Sequence, residues 1–466
     1  ADAARVFDLV RVSAFPISEG QGLKWLFALE HGKACLKSSM QASEGWKLYD
    51  VANEMTRQGV FKSPSEVASS RYWRISDLNR AYGFCPSYPA KLVVPSTTSD
   101  QDLLAVANFR SKGRIPALTW LSQKSQGSIW RCSQPKVGIG NTCRQDEQLW
   151  ADIVARSGSS FGRIIDCRPF KNAMANKAKG LGYEDEVRYS NTSISFQNIQ
   201  NIHVTRTSLE KLLAMICASS YSGGSAGGCA VPGYNWTASI EATGWLNHIR
   251  AILGTAVKVA QFAAVNGFPV LVHCSDGWDR TSQICALAQL LADPFFRTIE
   301  GFAVLVEKDW LSFGYKFMSR TGHGSDTGTD ERSPCFLQFI DCVWQLQSLF
   351  PAEFEYNQTF LLLVADELYS CRFGTFLCDN EHERVLQAIP QATLSLWDYV
   401  LGNRSKLTNP SYAPSPIAAL LPHEAVLGRQ VRLWETCYLR FAGAPALPEH
   451  AFCHLPSGVR PMDGFD

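Results

Sequence analysis

Seven residues near the middle of the chain, Cys274-Ser275-Asp276-Gly277-Trp278-Asp279-Arg280, combine types that can act together on one small anion, and His273 precedes them. An ionised thiol is a strong nucleophile. A free thiol of pKa roughly 8.5 is mostly protonated at neutral pH, but one held at a helix N-terminus ionises far more readily. Attack of that sulfur on phosphorus leaves a phosphocysteine, which makes Cys274 the candidate nucleophile. Arg280 offers a planar fork that can grip two phosphate oxygens and follow them into the transition state. Gly277 allows the backbone to turn inward where a Cβ would clash. His273 is expected to hydrogen-bond the loop backbone and hold its shape. Two carboxylates, Asp276 and Asp279, are unusual company for an anion, so at least one is expected to donate a proton or to orient a water or a substrate hydroxyl.

These residues converge only if the chain around them turns sharply. A β-branched run, 270–272, leads into His273, and a helix is expected to start near Thr281, with Thr281 or Ser282 as its cap. A strand, a tight loop and a helix N-terminus aim backbone N–H groups and the positive end of a helix into one concavity, and a phosphate dianion fits it. Upstream, 245–265 reads as a long helix, stopped by Gly267-Phe268-Pro269. Residues 163–166 read as a strand and 208–216 as helix. Strands separated by helices predict an α/β fold with a buried, largely parallel sheet flanked by helices. Loose segments are expected at 219–228, at 322–329 and at the proline-rich stretch 409–416.

The same cysteine–arginine spacing recurs at Cys378 and Arg384, around Asp-Asn-Glu-His-Glu. With fifteen cysteines in the chain, one such chance match is unsurprising. Three acidic residues, no glycine and no preceding strand make that second loop hostile to phosphate.

Bulk properties fit a globular protein. The 466 residues are 46% hydrophobic and 19% charged, with 13 Trp and 26 Phe to fill a core. A net charge of +1 argues against a general nucleic-acid binder. There is no apolar run of about 18 residues that would span a bilayer, and the first residues lack the pattern of a signal peptide. The cysteines are scattered singly, which predicts reduced, half-buried thiols and neither a disulfide framework nor a zinc site. The nine histidines show no ligand spacing, so no metal or organic cofactor is expected. Sequons at Asn191, Asn235, Asn357 and Asn403 read as chance in a chain without a secretory signal.

The loop also resembles the signature of the myotubularin family, HCSDGWDRT, which residues 273–281 reproduce without change. Further matching blocks are Trp73-Arg74-Ile75-Ser76, Val93-Val94-Pro95, Arg131-Cys132-Ser133-Gln134-Pro135, Asp166-Cys167-Arg168-Pro169, Lys308-Asp309-Trp310 and Phe373-Gly374-Thr375-Phe376-Leu377. The likeness covers about 45–440 in order. It implies a cysteine-phosphatase fold in an enlarged version, acting on the D3 phosphate of PI(3)P and PI(3,5)P2. Position by position, it implies a substrate cradle of Ser275, Asp276, Gly277, Trp278, Asp279 and Arg280, with Asn176, Asn201 and Ile202 touching the head group. It also assigns Lys316 and Arg320 to the 5-phosphate, although the family usually carries arginine at the first. On spacing alone that pair would share one face of a helix over 310–320 and would read as a solvated basic face.

For a poor leaving group such as an inositol hydroxyl, Asp279 is the expected proton donor. Asp166 is the alternative, or else a buried partner of an arginine. Residues 1–42 are expected to be at most the tail of a PH-GRAM domain, with 43–466 the phosphatase domain. Partners implied are phosphoinositide head groups and the face of a membrane, endosomal or otherwise, reached from the cytoplasm, with self-association or pairing with other myotubularins left open. Competing readings are a phosphatase of phosphotyrosine or phosphoserine and an inactive binding scaffold.

Overall fold

The computed structural model describes residues 44–64, 70–221, 235–323, 329–415 and 419–441. Among the described residues, seven strands form two sheets. The smaller pairs β1 (Trp73–Ser76) with β2 (Leu92–Pro95), antiparallel. The larger has five strands in the order β3 (Ala117–Leu121), β4 (Ser128–Ser133), β7 (Pro269–Cys274), β5 (Gly162–Asp166) and β6 (Thr192–Phe196). All neighbours in it are parallel except β3 with β4. The largely parallel sheet expected from the sequence is therefore present.

The strand that carries the loop lies in the middle of this sheet and is buried along its whole length. Successive side chains of β7 alternate between two cores. Val270, Val272 and Cys274 enter the larger apolar cluster, and Leu271 enters the smaller one on the other face. A strand clothed on both sides has no polar face to show, which is why its residues are apolar up to His273, whose imidazole has a buried partner in Glu184. The larger cluster includes the helices Trp245–Ala260 and Arg280–Ala292, which pack together. The first continues as a wide turn over Gln261–Val265 before Gly267 (φ +74) ends it, close to the expected stop.

Several local expectations need correction. The segment 310–320 is not one helix: a wide turn, Glu307–Ser312, gives way at Gly314 to a separate short helix, Phe317–Thr321. Gly314 has φ +70, and a Cβ there would stand 2.1 Å from the Ser87 carbonyl, so only glycine makes this close turn. The segment 409–415 is pinned rather than loose. The Asn409 side chain donates to the carbonyls of Pro351 and Phe354, and the Ala413 N–H donates to the Ala352 carbonyl. Most described cysteines are fully buried free thiols, Cys217 and Cys371 being the partly exposed pair. Of the other loose segments, 222–228 and 324–328 lie outside the described residues, as do 416 and 1–43.

Candidate active site

Strand β7 ends at Cys274, where the adjacent strand β4 ends at its register partner Ser133. The helix Arg280–Ala292 starts one residue earlier than the sequence suggested. Asp279 occupies the cap position without a side-chain capping bond, and Thr281 and Ser282 lie inside the helix. Both are used differently from the caps they were expected to be. The Thr281 hydroxyl donates to Cys274 Sγ at 3.3 Å, and Ser282 donates to the Trp278 carbonyl and accepts from Arg131. The Gly277 N–H also donates to Cys274 Sγ, at 3.3 Å. Two hydrogen-bond donors are thus aimed at the sulfur, which lies at the N-terminal end of a thirteen-residue helix.

The outer side of the loop is held by buried side chains. The Gly277 carbonyl accepts from Arg114 (2.9 Å) and Arg131 (3.0 Å), both fully buried. Gly277 has φ +78, and a Cβ there would meet the Cys132 carbonyl at 2.2 Å. The Ser275 carbonyl accepts from the Gln134 N–H, and Asp276 accepts from the Ser111 hydroxyl at 3.0 Å. Arg131 is in turn paired with Asp309 (3.0 Å), and its guanidinium lies 4.3 Å from the Phe313 ring centroid. Each buried cation thus has a fixed partner.

His273 contacts the Cys274 carbonyl through Nδ1 at 3.2 Å, in line with its expected role. Its other nitrogen, Nε2, lies 2.9 Å from Glu184, and Glu184 also pairs with Arg110. Burial alone would push the imidazole down, but the carboxylates of Glu184 and Asp166 outweigh it and hold His273 above its usual range. Burial would likewise raise Glu184, yet His273 and Arg110 hold it well below the usual carboxylate range.

Arg280 donates to the Ile199 carbonyl at 3.2 Å and approaches the Ser275 hydroxyl at 3.4 Å, so its fork lies along the loop. Ile199 leads directly to Asn201, whose side chain accepts from the Val204 N–H at the start of the helix Ile202–Tyr221. Asn176 donates to the side chain of Gln134 at 3.2 Å, the residue whose N–H bonds the Ser275 carbonyl of the loop. Asn176 therefore reaches the loop through Gln134, and Arg280 ties the loop to Ile199, two residues before Asn201. Lys316 Nζ sits 4.6 Å from the Trp278 ring centroid. Arg320 forks onto both oxygens of Asp279 (2.8 and 3.0 Å) and also pairs with Glu331 (2.7 Å). Both cations reach the loop, but they do not form the free basic face that spacing alone suggested: Arg320 already holds two carboxylates.

Asp166 is fully buried and paired with Arg168 at 2.7 Å, the structural alternative named for it. The second cysteine–arginine match is not a phosphate loop. Cys378 is buried, its thiol pushed up to about 12 by burial, and Arg384 lies within the helix Glu381–Leu386 beside Trp46.

Sequence reasoning missed Arg110, Arg114, Arg131 and Glu184. Arg131 was detectable: it interrupts the apolar strand Ser128–Ser133, and a charge there must have a buried partner. Nothing local singles out Glu184 in its polar loop. Among the described residues no group of His, Cys, Asp and Glu is arranged to hold a metal ion, and no helix is long and apolar enough to cross a membrane.

A buried strand, an anion-sized loop and a helix N-terminus beneath a cysteine define a phosphatase domain of the cysteine-dependent class. The description of the Myotubularin-like phosphatase domain matches residues 26–385. The chain is 42% identical over 439 residues to myotubularin of Rattus norvegicus, covering 94% of this chain and 68% of that one. It is 43% identical over 424 residues to myotubularin of Xenopus laevis, covering 90% and 67%. It is 44% identical over 441 residues to phosphatidylinositol-3,5-bisphosphate 3-phosphatase MTMR2 of Mus musculus, covering 94% and 64%. The chain belongs to the myotubularin-like phosphatase family and spans about two thirds of the length of these relatives.

Proposed function

We propose that this chain removes the D3 phosphate from phosphatidylinositol 3-phosphate and phosphatidylinositol 3,5-bisphosphate through a phosphocysteine. The observation that carries the reading is Cys274 Sγ at the floor of the loop, receiving the Gly277 N–H and the Thr281 hydroxyl beneath a fixed Arg280. The phosphate rests on the inward N–H groups of 275–279, and Arg280 holds two of its oxygens. The sulfur attacks phosphorus in line, the P–O bond to the inositol ring breaks, and the leaving oxygen takes a proton from Asp279. Water, giving a proton back to the Asp279 carboxylate, then attacks the phosphocysteine, and the S–P bond breaks to release inorganic phosphate and restore the thiolate.

Both oxygens of Asp279 are occupied by Arg320. Asp279 is freed for proton transfer once that guanidinium turns to another anion, and the substrate's own phosphate is the anion at hand. Asn176, Asn201 and Ile202 bound the head group, and Lys316 with Arg320 meets the 5-phosphate of the bisphosphate. The substrate is a membrane lipid, so the enzyme works peripherally on phosphoinositide-bearing membranes such as endosomes, alone or paired with itself or a related chain. Phosphate release from a panel of phosphoinositides and phosphopeptides tests the reading. Activity confined to the two 3-phosphorylated lipids, and nearly abolished in Cys274→Ser and in Arg280→Lys, is expected. Preference for a phosphopeptide would overturn it.

A further inference from the structure

Three cysteines, Cys132, Cys167 and Cys285, lie close enough to Cys274 to feel charge on its sulfur. All are buried free thiols, and the reaction proposed above uses none of them. The fold sorts the three. Cys132 lies on β4 opposite His273, and its side chain enters the smaller core, where its sulfur meets the Arg110 guanidinium at 3.5 Å. Cys285 sits in the second turn of the helix Arg280–Ala292, where Arg131 and Asp309 act on its thiol more strongly than Cys274 does. Cys167 stands differently. Strands β5 and β7 are parallel neighbours with Asp166 opposite His273, and the Cys167 N–H donates to the His273 carbonyl at 2.8 Å. The pairing therefore sets Cys167 alongside Cys274.

The two sulfurs also share a face. Asp166 and His273 turn to Arg168 and Glu184, so the next residues, Cys167 and Cys274, turn the other way, and both enter the larger apolar cluster. Neighbouring strands lie about 4.8 Å apart, inside the span of roughly 4.4–6.8 Å between Cα atoms that a disulfide bridges. Burial, and after it the Cys274 sulfur, push the Cys167 thiol well above its usual range. A protonated thiol reacts slowly with peroxides. An oxidant entering the loop is therefore met by the nucleophile at its floor, and Cys167 is kept for a second step.

We propose that Cys167 and Cys274 together form a reversible oxidation site for hydrogen peroxide, closing to a disulfide that silences the phosphatase and spares its nucleophile from further oxidation. The Cys274 thiolate attacks one peroxide oxygen: an S–O bond forms, the O–O bond breaks, and the departing hydroxide takes a proton to become water. The Cys167 sulfur then attacks the Cys274 sulfur. The S–S bond forms, the S–O bond breaks, and the Cys167 proton leaves with the hydroxyl as a second water. Both thiols are thus oxidised while the peroxide is reduced, and a dithiol reductant reverses the change by exchange. The inference rests on Cys274 being the reactive thiolate of the phosphatase reading, while the pair itself can be mapped without any lipid.

The full chain is treated with hydrogen peroxide, blocked with N-ethylmaleimide, digested without reductant and mapped by mass, with PI(3)P turnover measured before and after dithiothreitol. A peptide pair joined through Cys167 and Cys274 is expected, appearing as activity is lost and vanishing as dithiothreitol restores it. Cys167→Ala should turn over PI(3)P within about twofold of wild type, yet regain roughly tenfold less activity after the same peroxide dose, its Cys274 having passed to the sulfinic acid that thiols do not reduce. Cys285→Ala should recover as wild type does. In the wild type, Cys274 found as sulfinic acid with no linked peptide, or linked to Cys132 or Cys285, would overturn the proposal. So would equal recovery of Cys167→Ala and wild type. A chain that forms the linked peptide but leaves PI(3)P untouched would refute the phosphatase reading and leave the oxidation site standing.

Discussion

At the scale of single residues, the account turns on which group gives the leaving oxygen its proton. Asp166, the alternative read from the sequence, is sealed against Arg168 with no exposure, whereas Asp279 stands at the mouth of the helix in the grip of Arg320. Asp279→Asn should therefore slow PI(3)P hydrolysis by roughly 10²–10⁴-fold, the usual contribution of a positioned acid. An aryl phosphate whose leaving group needs no proton should lose far less. Steady-state rates on both substrates check this, and equal losses would remove Asp279 from the role. The sequence was most informative at this scale. Cys274, Gly277 and Arg280 could be read because each proposed role requires its residue type. Thr281 was misread because a threonine at a helix start looks like a cap, and nothing local shows that its hydroxyl turns back to the sulfur.

Among the elements, buried ion pairs around the loop involve three strands, β4, β5 and β7, and the loops and helices beside them. His273 on β7 meets Glu184 at 2.9 Å, and Glu184 meets Arg110. Removing one partner of such a buried pair costs about 3–5 kcal/mol, so Glu184→Gln should lower the melting temperature and the turnover together. The pH dependence carries a sign. Folding raises the His273 pKa, so its contribution is fully present below the unfolded value near 6.5 and is lost as pH rises through the folded one. Folding lowers the Glu184 pKa, so its contribution is present above the unfolded carboxylate value and is lost as pH falls through the folded one. The stability gap between wild type and Glu184→Gln should therefore be widest near pH 5–6 and narrow above neutrality, as read by thermal melts across pH; a gap that widens with pH would contradict the pairing. The order of helices and parallel strands was legible because apolar runs and Gly-Pro stops mark it. The break at Gly314 was missed because an i, i+4 pair of cations was given more weight than the glycine between the two segments.

At the level of the whole molecule, the proposed reading assigns to charge near the site the separation of two lipids that differ by one phosphate. Lys316 reaches the loop over Trp278, and charge-assisted hydrogen bonds contribute on the order of 1.5–3 kcal/mol. Lys316→Ala should then weaken use of PI(3,5)P2 by roughly ten- to a hundredfold and of PI(3)P much less; kcat/KM for the two lipids decides it, and equal losses would show that Lys316 supports the fold. Long-range partners such as Arg131 with Asp309, or Arg114 with Gly277, could not be read from the sequence, because they join segments far apart in the chain and only the folded sheet brings them together. What all these contacts serve, on this account, is a sulfur that becomes covalently attached to phosphorus. The most direct measurement is mass mapping of the enzyme quenched in acid during turnover of PI(3)P. The account predicts one phosphoryl group on the peptide containing Cys274, absent in Cys274→Ser. An unmodified Cys274 in an enzyme that is turning over, or phosphate on any other residue, would contradict it.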